Sequence, residues 1–341
     1  MGKVGWRLIS VGNCARAPSV RFELSSFALL TRYLKETSSE SGTTTAAEEE
    51  SMWVIDAGDN MMGRLMEESW CGLEGLRRLK GIFITHLHGD HVFGLPSLLS
   101  AVKRAGGKQK VTIIGPSGMR KWLNPALWVG APDLGVRYRI LELQYTPYWT
   151  RNWNFHPSES GYKIVSMSDD GKWDLSEYIG TDHFEVKAAP LRHGIPSLGF
   201  VFQKPGRKLV VLGDTCDSSA VESIGKDCDV LVHEATFTKS EAQIAQRAKH
   251  STAEMAGNFA KKIGAKTLLL THFSSRWLKD NQQETFDGVR LSLEDPVSGL
   301  TLRNVQKINP YHGLTVILNE AKEAFGSESL YAASRNLEIE L

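Results

Sequence analysis

The segment Thr85-His86-Leu87-His88-Gly89-Asp90-His91 places three imidazoles and one carboxylate within six residues. Imidazole nitrogens and carboxylate oxygens suit zinc and related divalent ions, at bond lengths of about 2.0–2.2 Å. His86 and His88 share one side of an extended chain at period two, and a following turn carries Asp90 and His91 to a second position. One ion cannot use all four groups well, so the pattern implies two adjacent ions. Three more ligand-type residues stand directly after or at the end of apolar runs. His193 follows VKAAPLR, Asp214 ends LVVLGD, and His272 follows TLLLT. A strand that stops there delivers its last side chain to the sheet rim. Added to the first four, these residues would complete two tetrahedral or five-coordinate shells.

The elements that must position them are legible as short β-rich runs. They include WRLISVG (6–12), SMWVIDAG (51–58), GIFITH (81–86), KVTIIGP (110–116), SLGFVFQK (197–204), DVLVHEA (229–235) and GLTVILNEA (313–321). LVVLGD and TLLLTH are continuous apolar runs, as expected of strands covered on both faces. Helical patterns interrupt them. GLPSLLSAVKRAGG (94–107) is amphipathic, with Pro96 in its first turn. After Lys249-His250, STAEMAGNFAKKIG offers Ser251 and Glu254 as a capping box, an apolar stripe of Met255, Ala256, Phe259, Ala260 and Ile263, and Gly264 as a stop. ESIGKDC (222–228) adds a short helix. This alternation predicts an α/β layered domain of sheets covered by helices, spanning residues 1–341 as one unit. Two stretches read as insertions. KETSSESGTTTAAEEES (35–51) has no apolar period and is expected as a disordered, solvated loop. The polar, Trp-rich stretch 145–182 is expected as a surface elaboration.

Composition sets limits. Hydrophobic residues make up 41% and charged residues 23% of the 341, which fits a large buried core and excludes a disordered or fibrous chain. No run of about 18 apolar residues exists, so no membrane span is expected. Forty Lys and Arg against 39 Asp and Glu leave a net charge of +1, which does not advertise nucleic acid. That average conceals local charge. Glu36, Glu40, Glu48, Glu49 and Glu50 sit in the expected loop, while basic residues cluster at Arg16/Arg21, Lys103/Arg104/Lys108/Lys110, Arg120/Lys121 and Arg276/Lys279. Four scattered cysteines without CxxC spacing argue against both a zinc ribbon and a disulfide framework. With no secretory or transit pattern at the N-terminus, a reduced compartment is expected, cytoplasmic or nuclear.

THLHGDH resembles the signature of the metallo-β-lactamase superfamily. THLHGDHVFGLPSLL, LGDT, HEATF, HST and THFSSRW, in that order, resemble the tRNA 3′-end endonucleases called tRNase Z. The resemblance runs from the first strand to about residue 277. It implies an αββα sandwich and a zinc-dependent endoribonuclease that removes the 3′ trailer from precursor tRNA, with Mn²⁺ or Fe²⁺ also compatible with the donor set. One ion would be held by His86, His88 and His193, the second by Asp90, His91 and His272, with Asp214 bridging. A water or hydroxide between the ions would be the nucleophile, oriented by Asp90. Glu234 and His250 would form a pair beside the metals, with His250 as proton donor or phosphate contact. Asp56 would hold the metal loop by hydrogen bonding. His233 reads as structural. A homodimer is implied as well.

Two departures from the family pattern stand out. Ala17-Pro18-Ser19-Val20-Arg21-Phe22-Glu23 occupies the place of a Pro-x-Lys-x-Arg-Asn motif. His193 and Asp214 are only 21 positions apart, which leaves no room for the arm that grips tRNA in short-form enzymes. RNA would then be held by another surface, such as 145–182 or a partner's loops, or the substrate range differs. The competing readings are another hydrolase of this fold, acting on small phosphodiesters or arylsulfate esters, and a non-catalytic RNA-binding subunit.

Overall fold

A computed structural model describes residues 5–14, 25–38, 44–144, 156–179, 184–277, 286–308 and 313–341, with side chains described for all but 34–38, 44–47 and 286–289. The strands are β1 (Trp6–Gly12), β2 (Ser26–Ser38), β3 (Thr44–Ile55), β4 (Leu79–Phe83), β5 (Val111–Pro116), β6 (Tyr138–Gln144), β7 (Glu159–Ser166), β8 (Trp173–Asp174) and β9 (Glu185–Leu191). They continue with β10 (Ser197–Lys204), β11 (Arg207–Leu212), β12 (Val230–Glu234), β13 (Thr267–Thr271), β14 (Phe286–Glu294), β15 (Thr301–Ile308), β16 (Leu330–Ala332) and β17 (Glu338–Glu340). The helices are α1 (Met61–Glu67), α2 (Gly72–Arg77), α3 (Gly89–Val92), α4 (Leu95–Arg104) and α5 (Met119–Gly130). The later ones are α6 (Ser176–Ile179), α7 (Glu222–Gly225), α8 (Ala242–Ala248), α9 (Ala253–Ile263) and α10 (Leu314–Phe325).

Two sheets face each other. The first runs β14-β15-β17-β1-β2-β3-β4-β5-β6-β7, the second β16-β13-β12-β11-β10-β9-β8. In the first, β3 to β7 are parallel; in the second, β11, β12, β13 and β16 are parallel. Aromatic rings knit the inner faces. Phe83 meets Phe202 edge-on at 5.0 Å between centroids, and Trp53 meets Phe184 at 5.2 Å. Each outer face is closed by helices. Leu98, Leu99 and Val102 of α4 cover Val54, Ile82 and Ile113, while Ala256, Ala260 and Ile263 of α9 with Ile317 of α10 cover Leu231, Leu268 and Leu270. The result is the helix–sheet–sheet–helix sandwich of the metallo-β-lactamase fold.

Four expectations are corrected. Residues 35–38 and 44–51 are strand, not loop: β2 and β3 pair antiparallel from Phe27↔Ile55 out to Ser38↔Thr44, and 39–43 lie outside the described residues. Cross-strand charge supports this ladder. Glu50 accepts from Arg32 Nε at 3.0 Å and Arg7 Nη2 at 3.2 Å, and pairs with Arg78. Burial would push its carboxyl up, but the three arginines hold it below its ordinary value. The segment 145–182 is only partly a surface feature. β7 extends the first sheet beside β6, and Trp173 is 1% exposed in the core, donating from Nε1 to Val165 O at 3.1 Å. Residues 145–155 and 180–183 lie outside the described residues. The run 313–321 is helical, because Leu314, Ile317, Ala321 and Phe325 are buried at helical spacing in α10, which ends at Gly326. The cap of α9 is Thr252, whose hydroxyl accepts from Met255 N, whereas the Ser251 hydroxyl donates to Thr215 O.

Candidate metal centre

The parallel strands of both sheets aim their C-terminal ends at one rim, where ligands bind in open α/β sheets. β3 leads to Asp56, β4 to His86, β11 to Asp214 and β13 to His272, while β12 ends on Glu234. The rims touch directly: Leu198 N donates to Thr85 O at 3.0 Å. Gly213 makes this approach possible, since a Cβ there would meet Thr85 Cβ at 2.6 Å and Ser197 Oγ at 2.8 Å.

All seven sequence-predicted ligand residues converge at this junction, in groups whose ligand atoms lie within 4.8 Å of one another. In one group His88 Nδ1 is 3.1 Å from His86 Nε2 and 3.2 Å from His193 Nε2, and Asp214 Oδ2 is 3.4 Å from His86 Nε2 and 3.9 Å from His193 Nε2. In the other, Asp90 Oδ2 is 3.4 Å from His272 Nε2 and 3.7 Å from His91 Nε2. Asp214 reaches this group too, with Oδ1 at 3.6 Å from His91 Nε2 and Oδ2 at 3.2 Å from His272 Nε2. The spacings resemble the edges of a tetrahedron with bonds of about 2.1 Å, which measure roughly 3.4 Å. The donor set passes a second test. His91 Nε2 and His272 Nε2 are buried and make no hydrogen bond, though both face carboxylates. A buried imidazole nitrogen so placed is accounted for by a cation between it and the carboxylate. His, Asp and the absence of any Cys among the seven describe a site for divalent metal.

Hydrogen bonds behind the cluster fix the rings. Asp56 receives Thr85 N at 2.7 Å and Thr85 Oγ1 at 2.8 Å, and its Oδ2 holds His91 Nδ1 at 2.8 Å. His86 Nδ1 contacts Thr85 Oγ1 at 3.1 Å, His193 Nδ1 donates to Lys249 O at 2.7 Å, and His272 Nδ1 contacts Thr236 Oγ1 at 2.9 Å. Asp56 and His272 both occupy the left-handed backbone region, at φ +59° and +58°. Thr85, Thr236 and the Lys249 carbonyl were not anticipated from the sequence. A hydroxyl next to a ligand histidine is the one signal that could have found the threonines; the carbonyl has none.

The charges differ across the cluster. Burial holds the His86 imidazole down to about 4, and it also depresses His88 and His193. His91 is pushed up to about 10, because Asp214, Asp56 and Asp90 together outweigh its burial. Burial opposes ionisation of Asp90 and Asp214, yet His272 and the neighbouring histidines keep both well below the usual carboxylate range.

Glu234 and His250 sit against the cluster. Glu234 Oε1 lies 3.0 Å from His250 Nδ1 and accepts from Thr215 N at 2.8 Å, while Oε2 accepts from Thr236 Oγ1 at 2.5 Å. Burial would raise the Glu234 carboxyl, but His250 holds it below its ordinary value. His250 Nδ1 is also 3.8 Å from Asp214 Oδ2, but the shorter Glu234 contact claims that nitrogen. His233 turns away, contacting Ser218 Oγ at 2.9 Å and the Glu234 carbonyl at 2.8 Å.

A cavity of about 450 Å³ opens over the ligands, lined by His88, Asp90, His193, Asp214 and His250, with Asp59 and Phe93 at its margin. Larger hollows of about 740 and 670 Å³ lie elsewhere and hold none of the seven. Several members of the basic clusters noted in the sequence are neutralised by acids, while Arg104, Lys108 and Lys110 are exposed. Lys103 is paired with Asp133, Arg120 with Glu159 and Arg276 with Glu241; Arg16, Arg21 and Lys279 lie outside the described residues. The loop 17–23 lies outside them too. The interval from His193 to Asp214 is fully described and contains β10, a tight turn at Pro205-Gly206 and β11, with no arm. All four cysteines are buried, with burial pushing the Cys71 and Cys228 thiols up to about 12. Among the described residues no helix is long and apolar enough to cross a membrane.

Residues 53–273 match the β-lactamase superfamily domain. The chain is 31% identical over 289 residues to a ribonuclease Z of Limosilactobacillus fermentum, covering 79% of this chain and 87% of the relative. It is 33% identical over 262 residues to a ribonuclease Z of Bacillus mycoides, covering 70% and 83%. Among solved structures, human tRNase Z, short form, is similar with a TM-score of 0.63 and 31% identity, covering 79% of this chain and 93% of that one. Identity at that level across most of both chains, on a sandwich whose strand ends gather His and Asp as described, places this chain in the ribonuclease Z family of the β-lactamase superfamily.

Proposed function

We propose that the chain is a divalent-metal endoribonuclease that cuts precursor tRNA at the acceptor end, leaving a tRNA 3′-hydroxyl and a trailer 5′-phosphate. The observation that carries this reading is the convergence of the seven His and Asp residues beside a buried Glu234–His250 pair, in a chain of the ribonuclease Z family. His86, His88 and His193 would hold one ion, Asp90, His91 and His272 the other, and Asp214 both. Zinc fits the nitrogen-rich donor set best, and Mn²⁺ or Fe²⁺ fit it as well. When bound, two such ions lower the pKa of a water and neutralise charge developing on the phosphate.

The side chains divide the remaining work. Asp90 stays ionised beside His272, so it serves as a hydrogen-bond acceptor that orients the attacking water. Attack at phosphorus breaks the bond to the tRNA 3′ oxygen, which needs a proton. His250, with Nδ1 held by Glu234, supplies it from Nε2. A homodimer belongs to the same reading. Exposed Met66 and Leu73 border an apolar groove with Ala126 and Gly130, a face that a second copy could cover.

The test is incubation of metal-loaded protein with a 3′-extended tRNA. Cleavage at the trailer junction is expected. His250→Ala and Glu234→Gln should lower kcat by on the order of 10²-fold with metal content unchanged. Absence of cleavage at that junction with zinc, manganese or iron would overturn the proposal. Turnover of a small phosphodiester in its place would point to another hydrolase of this fold.

A further inference from the structure

The reaction as described makes no use of an aromatic pair beside the metal loop. Phe93 is 62% exposed, although it caps the end of α3 two residues after His91 and borders the same cavity. Its ring is nonetheless held from two directions. One edge lies so close to Gly89 that a Cβ there would meet Phe93 Cε2 at 2.3 Å. On another side Trp122 stacks with it, centroids 6.3 Å apart and planes within 22°. Trp122 lies near the start of α5, which follows β5 on the metal-bearing rim; Arg120 and Lys121 precede it, and the first turn has no acidic residue.

At 62% exposure the ring keeps much of its surface open to solvent while Gly89 and Trp122 fix its position beside the cavity. Here a preorganised π-face sits at the mouth of a cavity whose floor is built to hold a phosphodiester. Every nucleobase has a complementary π-face, and stacking on exposed aromatic rings is how unpaired nucleotides are commonly held. Gly89 matters to this design, because any side chain at 89 would push the ring off the loop.

We propose that Phe93, backed by Trp122, is a stacking platform for an unpaired base flanking the scissile phosphate. It positions substrate and takes no part in bond making. This inference rests on the precursor-tRNA reading above.

The experiment compares wild type, Phe93→Ala, Phe93→Leu and Phe93→Trp on a 3′-extended tRNA. The same proteins are then given substrates lacking the base on one or the other side of the cut. Phe93→Ala is expected to lower kcat/KM by on the order of 10- to 100-fold. Phe93→Leu keeps bulk against Gly89 but offers no π-face, and should not recover the loss, whereas Phe93→Trp should. Removing the stacked base should cost wild type a similar factor and Phe93→Ala nothing further. Recovery by leucine, or independent losses from ring and base on both sides of the cut, would overturn the platform. If wild type cleaves precursor tRNA and Phe93→Ala loses nothing, the platform alone fails. If wild type leaves that RNA intact, the precursor-tRNA reading fails and the platform with it.

Discussion

His86, His88 and His193 meet Asp214 with no other carboxylate in their group, whereas Asp90, His91 and His272 meet it with a second one. The three-imidazole half is kept neutral by burial, with His86 depressed to about 4. The carboxylate half balances its own charge, with a protonated His91, raised to about 10, set among Asp214, Asp56 and Asp90. The difference bears on how each half would accept a cation. A neutral imidazole offers its lone pair at once. A protonated one must first give up its proton, so binding there is tied to pH. Two sites that share a bridging residue need not load under the same conditions.

This contrast can be broken at its shared member. Asp214→Ala should empty both halves and reduce activity on the order of 10³-fold or more, read by metal analysis and precursor cleavage. Retention of one full equivalent of metal would mean that the two halves are independent. A milder change separates them. Asp56→Asn weakens the direct support of His91 and reaches the other half only through Thr85, whose hydroxyl contacts His86 Nδ1. It should cost about 10- to 100-fold in affinity for one ion and little for the other, measured by chelator competition. Equal losses at both would refute the division. The smallest effect is in pH. Between pH 7 and 8 affinity for the carboxylate half should rise by no more than roughly tenfold, as His91 must lose its proton, while the three-imidazole half stays flat. Parallel slopes would show that the two halves are protonated alike.

Much of this centre was visible in the chain because ligand chemistry needs rare residue types at strand ends. THLHGDH, LGDT and THF each follow an apolar run, and the structure brings those runs to one rim. The residues that orient the rings were not visible. Thr85 and Thr236 matter through the direction of one hydroxyl, and His193 is held by a backbone carbonyl from Lys249, a residue 56 positions away. The same limit explains the fold errors. Composition made 35–51 look like solvated chain, because the arginines that neutralise Glu50 come from β1, β2 and the residue capping the end of α2. In 313–321, β-branched content competed with a 3.6-residue period, and burial against α9 decided for helix. Ser251 and Thr252 are adjacent hydroxyls, and only the turn at Thr215 determines which is left to cap α9.

Asp56 and His272 hold positive φ at +59° and +58°, a conformation that costs a residue other than glycine about 1 kcal/mol. Glycine would relax the backbone at either position but delete a side chain that the His and Asp cluster is built on. Glycine at 56 would strip Thr85 N, Thr85 Oγ1 and His91 Nδ1 of a buried partner, a loss larger than the strain relieved, so that variant should melt earlier as well as turn over less. At the Asp56 turn, endurance and reactivity therefore hang on the same carboxylate, and the strain there is kept because nothing smaller makes its bonds.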